Sequence, residues 1–122
     1  MSKVVLVVDD DAGLQETLQA ALEFENYEVV IAEDGLVALE KLSTVTPNLI
    51  LLDIMMPRMD GYTFAQELQR RGLRSSIPVI VLTADGRAQQ KAALVGADGY
   101  LEKPFDIDEF LDQVERHIRV ER

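Results

Sequence analysis

The chain has no cysteine. A disulfide framework and any chemistry that needs a thiolate are therefore excluded. Basic residues are scarce: 12 Lys and Arg stand against 22 Asp and Glu, for a formal net charge of -10. A domain of that sign repels phosphates, which argues against direct nucleic-acid binding. The acidity serves solubility, and some of it is suited to a metal site. Long hydrophobic runs are missing as well. Val4–Val8 is among the longest uninterrupted apolar stretches, far short of the ~20 residues of a membrane helix. Lys3 ahead of that run imitates a signal peptide, but Asp9-Asp10-Asp11 ends it too early. The expectation is a soluble, cytoplasmic protein with no membrane partner. Linkers, repeats and low-complexity segments are also lacking.

What is present is a core. With 122 residues, 48% of them apolar, the chain is expected to form one domain over 1–122 rather than a disordered segment. Five strand-like runs alternate with five helix-like segments. The strands are Lys3–Val8, Tyr27–Ala32, Leu49–Asp53, Val79–Leu82 and Gly99–Leu101. Leu14, Leu18, Ala21 and Leu22 recur at helical spacing after the first strand; Ala38, Leu39 and Leu42 do so after the turn signal Asp34-Gly35. Asp60-Gly61 opens a third helix with Phe64, Ala65 and Leu68 on its apolar face. A short Ala-rich helix covers about Arg87–Val95 and ends at Gly96. Asp106 and Glu109 form a capping box for the last helix, which buries Ile107, Phe110, Leu111, Val114 and Ile118. Strands one, three and four are apolar throughout rather than alternating, the pattern of parallel strands covered on both faces. Right-handed crossovers then give a doubly wound α/β sheet.

The strands end in polar residues. The first runs into Asp9-Asp10-Asp11, the third into Asp53, the fourth into Thr83, and the fifth leads to Lys103-Pro104. An ionised carboxylate at a strand tip is a competent oxygen nucleophile toward a phosphoryl group. The plainer reading of Asp53 is a helix cap, but Pro57 and Asp60-Gly61 intervene before the next helix. Adjacent carboxylates such as Asp9 and Asp10, set beside a third, repel one another. A hard cation relieves that repulsion. Asp11 is suited to stabilising the first turn of the following helix. Taken alone, Thr83 is a β-branched strand end, Lys103 a solvated amine and Tyr100 a half-buried strand residue. His117, the single histidine, falls in the last turns of the last helix, where the dipole favours a cation. Arg70, Arg71 and Arg74 read as a solvated cluster at a helix end.

Four motifs together change the weight of these readings. Val7-Val8-Asp9-Asp10, Leu52-Asp53-Ile54-Met55-Met56-Pro57 with Asp60-Gly61, Leu82-Thr83-Ala84, and Gly96-Ala97-Asp98 through Lys103-Pro104-Phe105 occur in order along the chain. The set resembles the receiver domain of two-component response regulators. The resemblance implies a flavodoxin-like, five-stranded parallel sheet in the order 2-1-3-4-5 with five helices. It implies that Asp53 accepts a phosphoryl group from a sensor histidine kinase or a histidine phosphotransfer protein and loses it slowly by hydrolysis. It further implies Mg²⁺ bound by Asp10, Asp53 and the Met55 backbone carbonyl, with Asp9 acting through a water. Thr83 and Lys103 would engage phosphoryl oxygens, Thr83 and Tyr100 would form the switch, and the Lys103-Pro104 bond would be cis. Asp98-Gly99 and Gln113 depart from transcription-factor receivers that dimerise through the fourth and fifth helices, which favours a stand-alone receiver.

Two other classes compete. A haloacid-dehalogenase-type phosphohydrolase also uses an aspartyl phosphate, and Asp9-Asp10-Asp11 contains its D-x-D. The chain is short for that class, Asp53 would have no role, and Asp106 and Asp108 start a helix instead of ending a strand. An FMN-binding flavodoxin-like module needs a phosphate cradle after strand one, where three carboxylates would repel the phosphate.

Overall fold

The computed structural model describes residues 3–84 and 86–118; the ends of the expected 1–122 domain lie outside the described residues. Five strands and five helices alternate: β1 (Val4–Val8), α1 (Ala12–Phe24), β2 (Glu28–Ala32), α2 (Gly35–Lys41), β3 (Leu49–Asp53), α3 (Gly61–Arg70), β4 (Val79–Thr83), α4 (Ala88–Val95), β5 (Gly99–Glu102) and α5 (Ile107–His117). Every strand pair is parallel, and the order is β2-β1-β3-β4-β5, as expected. Lys3 and Tyr27 fall just outside their strands, β4 gains Thr83, and β5 runs on to Glu102.

The central strands are buried over nearly their whole length, which explains their lack of alternation. Successive side chains point to opposite faces. Val5, Val7, Leu49, Leu51, Ile80 and Leu82 meet Leu18 and Leu22 of α1 and Phe110 and Val114 of α5. Leu6, Val8, Ile50, Leu52 and Val79 meet Ala38 and Leu39 of α2 and Phe64 and Leu68 of α3. Each fully buried Leu or Phe is worth roughly 1.5–3 kcal/mol of transfer free energy. Only a small cluster, Ile54, Val81 and Ala92, lies beneath α4.

Four helices begin at an aspartate whose carboxylate accepts the backbone N–H three residues on: Asp11 from Leu14, Asp34 from Val37, Asp60 from Thr63 and Asp106 from Glu109. Each such cap is worth about 1 kcal/mol. Asp11 is thus the cap itself rather than a first-turn residue. Asp34-Gly35 is also more than a turn, since Asp34 is a buried N-cap. Arg87 at the start of α4 makes no side-chain cap bond. Gly96 ends that helix at φ 66, a left-handed conformation that glycine adopts without penalty. A Cβ on Gly61 would lie 2.7 Å from the Asp53 carbonyl oxygen, so the close passage of α3 under β3 requires glycine there.

Arg74 corrects the expectation of a solvated arginine cluster. Arg70 and Arg71 do pair with Glu67 on the surface. Arg74 instead donates to the carbonyls of Ile77 and Gly96 and pairs with Asp98 at 3.3 Å. Asp98 in turn accepts from Val79 N at 2.9 Å. The backbone spacing that brings these groups together is tertiary and left no local mark in the sequence. His117 bonds the Gln113 carbonyl at 3.0 Å and lies against Gly99, consistent with a structural role.

Candidate phosphoryl-acceptor and metal site

Parallel strands bring all their carboxyl ends to one edge. β1 and β3 are neighbours, with Val8 opposite Leu52, so Asp9 and Asp53 emerge side by side. β4 lies on the other side of β3 with Leu82 opposite Asp53, and β5 follows with Glu102 opposite Thr83. The topology therefore gathers Asp9, Asp10, Asp53, Thr83 and Lys103 at the crevice where the winding direction reverses, the usual ligand position of such sheets.

Asp9 is fully buried and fully engaged. One carboxylate oxygen accepts from Asp11 N at 2.9 Å and the other from Lys103 Nζ at 2.8 Å. Its backbone is held as well, the carbonyl by Gln15 Nε2 at 2.5 Å and the N–H by the Ala32 carbonyl at 3.1 Å. Asp53 is 6% exposed. Its Oδ1 lies 3.3 Å from Met55 N and 3.7 Å from Lys103 Nζ. Asp10 is exposed at the rim. One carboxylate oxygen from each of Asp9, Asp10 and Asp53 lies within 4.8 Å of the others.

That crowding has an electrostatic signature. The Asp53 carboxyl is pushed up to about 6, chiefly by burial and then by the Asp9 charge, with Asp10 adding to it. Lys103 and the Met55 N–H pull the other way and offset only part of the rise. Three hard oxygen donors that repel one another, with the Lys103 amine beside two of them, match what a hard divalent cation takes as ligands. Exposed Met55 places its backbone two residues beyond Asp53 on the same rim.

Thr83 is buried at the end of β4. Its hydroxyl oxygen accepts from Lys91 Nζ at 3.5 Å, and its carbonyl accepts from Lys103 N at 2.7 Å. The Lys103-Pro104 peptide is cis, as expected. Tyr100 is 42% exposed on β5. A surface hollow of about 510 Å³, lined by Ala88, Gln89, Ala93, Tyr100 and Glu102 among others, separates its ring from α4.

Asp9, Asp10, Asp53 and Lys103 converge, with Met55 N beside Asp53 and the Thr83 carbonyl bonded to Lys103 N, whereas Tyr100 stands on the surface of β5. Sequence reasoning missed Lys91, Gln15 and Arg58. Lys91 and Gln15 reach the site from helices α4 and α1, one turn or more beyond the strand tips. Arg58 bonds Asp34 Oδ2 at 2.7 Å across 24 residues of chain. An acid directly ahead of the Gly-Leu-Val-Ala start of α2 was a readable sign of a cap; its cationic partner was not.

A parallel five-stranded α/β domain with three acids, a hydroxyl and a lysine at the switch-point edge is chemically suited to a phosphoryl group beside a cation. The family follows from comparison. The model of the response regulator receiver domain matches residues 5–115, and the chain belongs to that family. Over 121 residues it is 41% identical to response regulator MprA of Mycobacterium tuberculosis, covering 98% of this chain and 52% of that protein. The chain thus spans about half the length of the curated relatives it matches. Chemotaxis response regulator CheY4 of Vibrio cholerae superposes with a TM-score of 0.89 at 30% identity, over 97% of this chain and all of that one. The receiver domain of sensor histidine kinase PA1611 from Pseudomonas aeruginosa gives 0.87 at 27% identity, over 96% and 98% of the two chains. That neighbour carries a magnesium ion coordinated in its active-site cleft. The fold and family make this a signalling domain of two-component systems and not a phosphohydrolase. Among the described residues, no helix is long and apolar enough to cross a membrane.

Proposed function

We propose that Asp53 is the phosphoryl acceptor, with a sensor histidine kinase or a histidine phosphotransfer protein as donor, and that the domain works in the cytoplasm. The observation that carries this reading is the raised, crowded Asp53 carboxyl at the meeting point of Asp9, Asp10 and Lys103. With a pKa of about 6, Asp53 is mostly ionised at neutral pH and ready to attack. An Asp53 oxygen forms a bond to phosphorus as the donor's N–P bond breaks, and the departing imidazole nitrogen keeps that electron pair. Asp10, Asp53 and the Met55 carbonyl would hold Mg²⁺, with Asp9 acting through a water; the ion would neutralise charge on the transferring group.

Lys103 already stands between Asp9 and Asp53 and is placed to pair with a phosphoryl oxygen as a point charge. The Thr83 hydroxyl would donate to another. A charge-assisted bond of that kind is worth roughly 1.5–3 kcal/mol. Drawing Thr83 toward Asp53 vacates space beneath α4, and the hollow beside Tyr100 gives its ring room to turn inward. The surface of α4, β5 and α5 would then differ between the two states. The aspartyl phosphate is lost slowly to water. Which output this surface controls belongs to the partner and to the whole protein.

The test is labelling with a small acyl phosphate and Mg²⁺. Wild type gains one base-labile phosphoryl group and Asp53→Asn gains none. Equal labelling of both overturns the acceptor assignment. Thr83→Ala should still accept the group at Asp53, yet lose most of the NMR shift changes in α4 and β5 that beryllofluoride induces in wild type.

A further inference from the structure

Between β3 and α3 the chain makes a loop that starts at Asp53 and ends at Asp60. Inside it, Arg58 holds a left-handed backbone at φ 61. A non-glycine residue takes that conformation at a cost, so something must hold it there. Three ties are present, and all lead to the turn between β2 and α2. Arg58 Nε donates to Asp34 Oδ2 at 2.7 Å. Gly35 N donates to the Met59 carbonyl at 3.2 Å. Met59 packs on the bare Cα of Gly35, where a Cβ would meet its side chain at 2.7 Å.

The Asp34 end of the clamp is rigid. Its carboxylate is buried and its other oxygen caps α2 through Val37 N at 3.0 Å. Those bonds hold the Asp34 carboxyl below the usual range despite its burial. Arg58 is 54% exposed and meets Glu33 only at 4.0 Å, so Asp34 is its principal anchor. The same loop carries Met55 three residues earlier, with Pro57 between them limiting the slack.

We propose that Arg58 is a positioning residue for the metal site: by anchoring the loop to Asp34 it fixes the Met55 backbone carbonyl beside Asp10 and Asp53. Arg58 touches no reacting atom. The inference rests on the reading of that cluster as a Mg²⁺ site. Groups that orient metal ligands from outside commonly affect affinity about 10–100-fold; acting through three residues of backbone, Arg58 falls at the lower end, about tenfold.

The experiment follows backbone amide shifts of Asp10, Asp53 and Met55 during MgCl2 titration, with melting curves of the metal-free proteins alongside. Arg58→Gly removes the clamp and also relieves the left-handed backbone, so its metal-free stability stays near wild type. Its Mg²⁺ Kd should rise about tenfold. Arg58→Lys keeps the charge without the guanidinium geometry and should recover part of that loss. Asp34→Asn keeps a good cap but loses the ion pair, and should weaken Mg²⁺ about as much as Arg58→Gly. The double variant should be no weaker than either alone. If wild type itself shows no saturable Mg²⁺ shift, the metal reading fails. If wild type binds and Arg58→Gly binds equally well, the metal reading stands and the positioning role of Arg58 is overturned.

Discussion

Helices α4 and α5 flank the same strand and are held very differently. α5 opens at a capped aspartate and seats Phe110 and Val114 in the larger of the sheet's clusters, with Phe105 stacked on Phe110 at 5.7 Å. Among the described residues α4 has no side-chain cap bond; it seats Ala92 on Ile54 and Val81 and leaves Leu94 75% exposed. Its carboxyl end is nonetheless pinned, since Arg74 reaches the Gly96 carbonyl and Asp98. Lys91, nearer its amino end, touches Thr83. α5 is the more firmly seated helix, whereas α4 is held at its carboxyl end and meets Thr83 through Lys91. Elements that move in switching come from the weakly stabilised part of a fold.

The widest separation is in stability. Phe110→Ala should cost about 3–5 kcal/mol by opening a cavity under α5. Ala92→Gly under α4 should cost only about 1 kcal/mol. Thermal or urea unfolding reads both; a comparable loss at the two positions would erase the distinction.

Next in size is the acceptor itself. Its folded pKa of about 6 lies above the ordinary carboxylate value. The stability Asp53 contributes is therefore fully present below about pH 4 and is lost as pH rises through 6. Asn does not ionise and escapes this loss. In the absence of divalent cations, Asp53→Asn should be about 2–3 kcal/mol more stable than wild type at pH 7.5 and nearly equal to it at pH 4. A constant difference across that range would show that the crowding of Asp9, Asp10 and Asp53 is not electrostatically costly.

A smaller effect separates the helix starts. Asp106→Ala should remove about 1 kcal/mol from the α5 side. Amide exchange should then quicken in the first turn of α5 yet still lag that of the first turn of α4. Faster exchange in α5 of wild type would reverse the assignment.

The fold was readable because its signals are local. Three continuous apolar strands and the helix starts at Asp60 and Asp106 are short patterns, and the strand tips named Asp9, Asp10, Asp53, Thr83 and Lys103. Convergence at one edge follows from parallel pairing, and the strand order came from the resemblance. What escaped notice depends on tertiary distance. Arg58 and Asp34 are 24 residues apart, as are Arg74 and Asp98. Arg74 reads from sequence as part of a solvated helix-end cluster, and Arg58 carries no local signal. Lys91 likewise gave no sign that its helix would bring it to Thr83. Long side chains that bridge loops leave no periodicity to read.

On the proposed reading, phosphoryl chemistry at Asp53 changes the surface of α4, β5 and α5, with α4 responding most and the firmly seated α5 least. Hydrogen exchange with and without beryllofluoride and Mg²⁺, on wild type and on Asp53→Asn, tests it most directly. The account predicts altered protection in α4 and at the end of β4 in wild type, a smaller change in α5, and no change anywhere in Asp53→Asn. Equal changes in α4 and α5, or the same α4 response in Asp53→Asn, would contradict it.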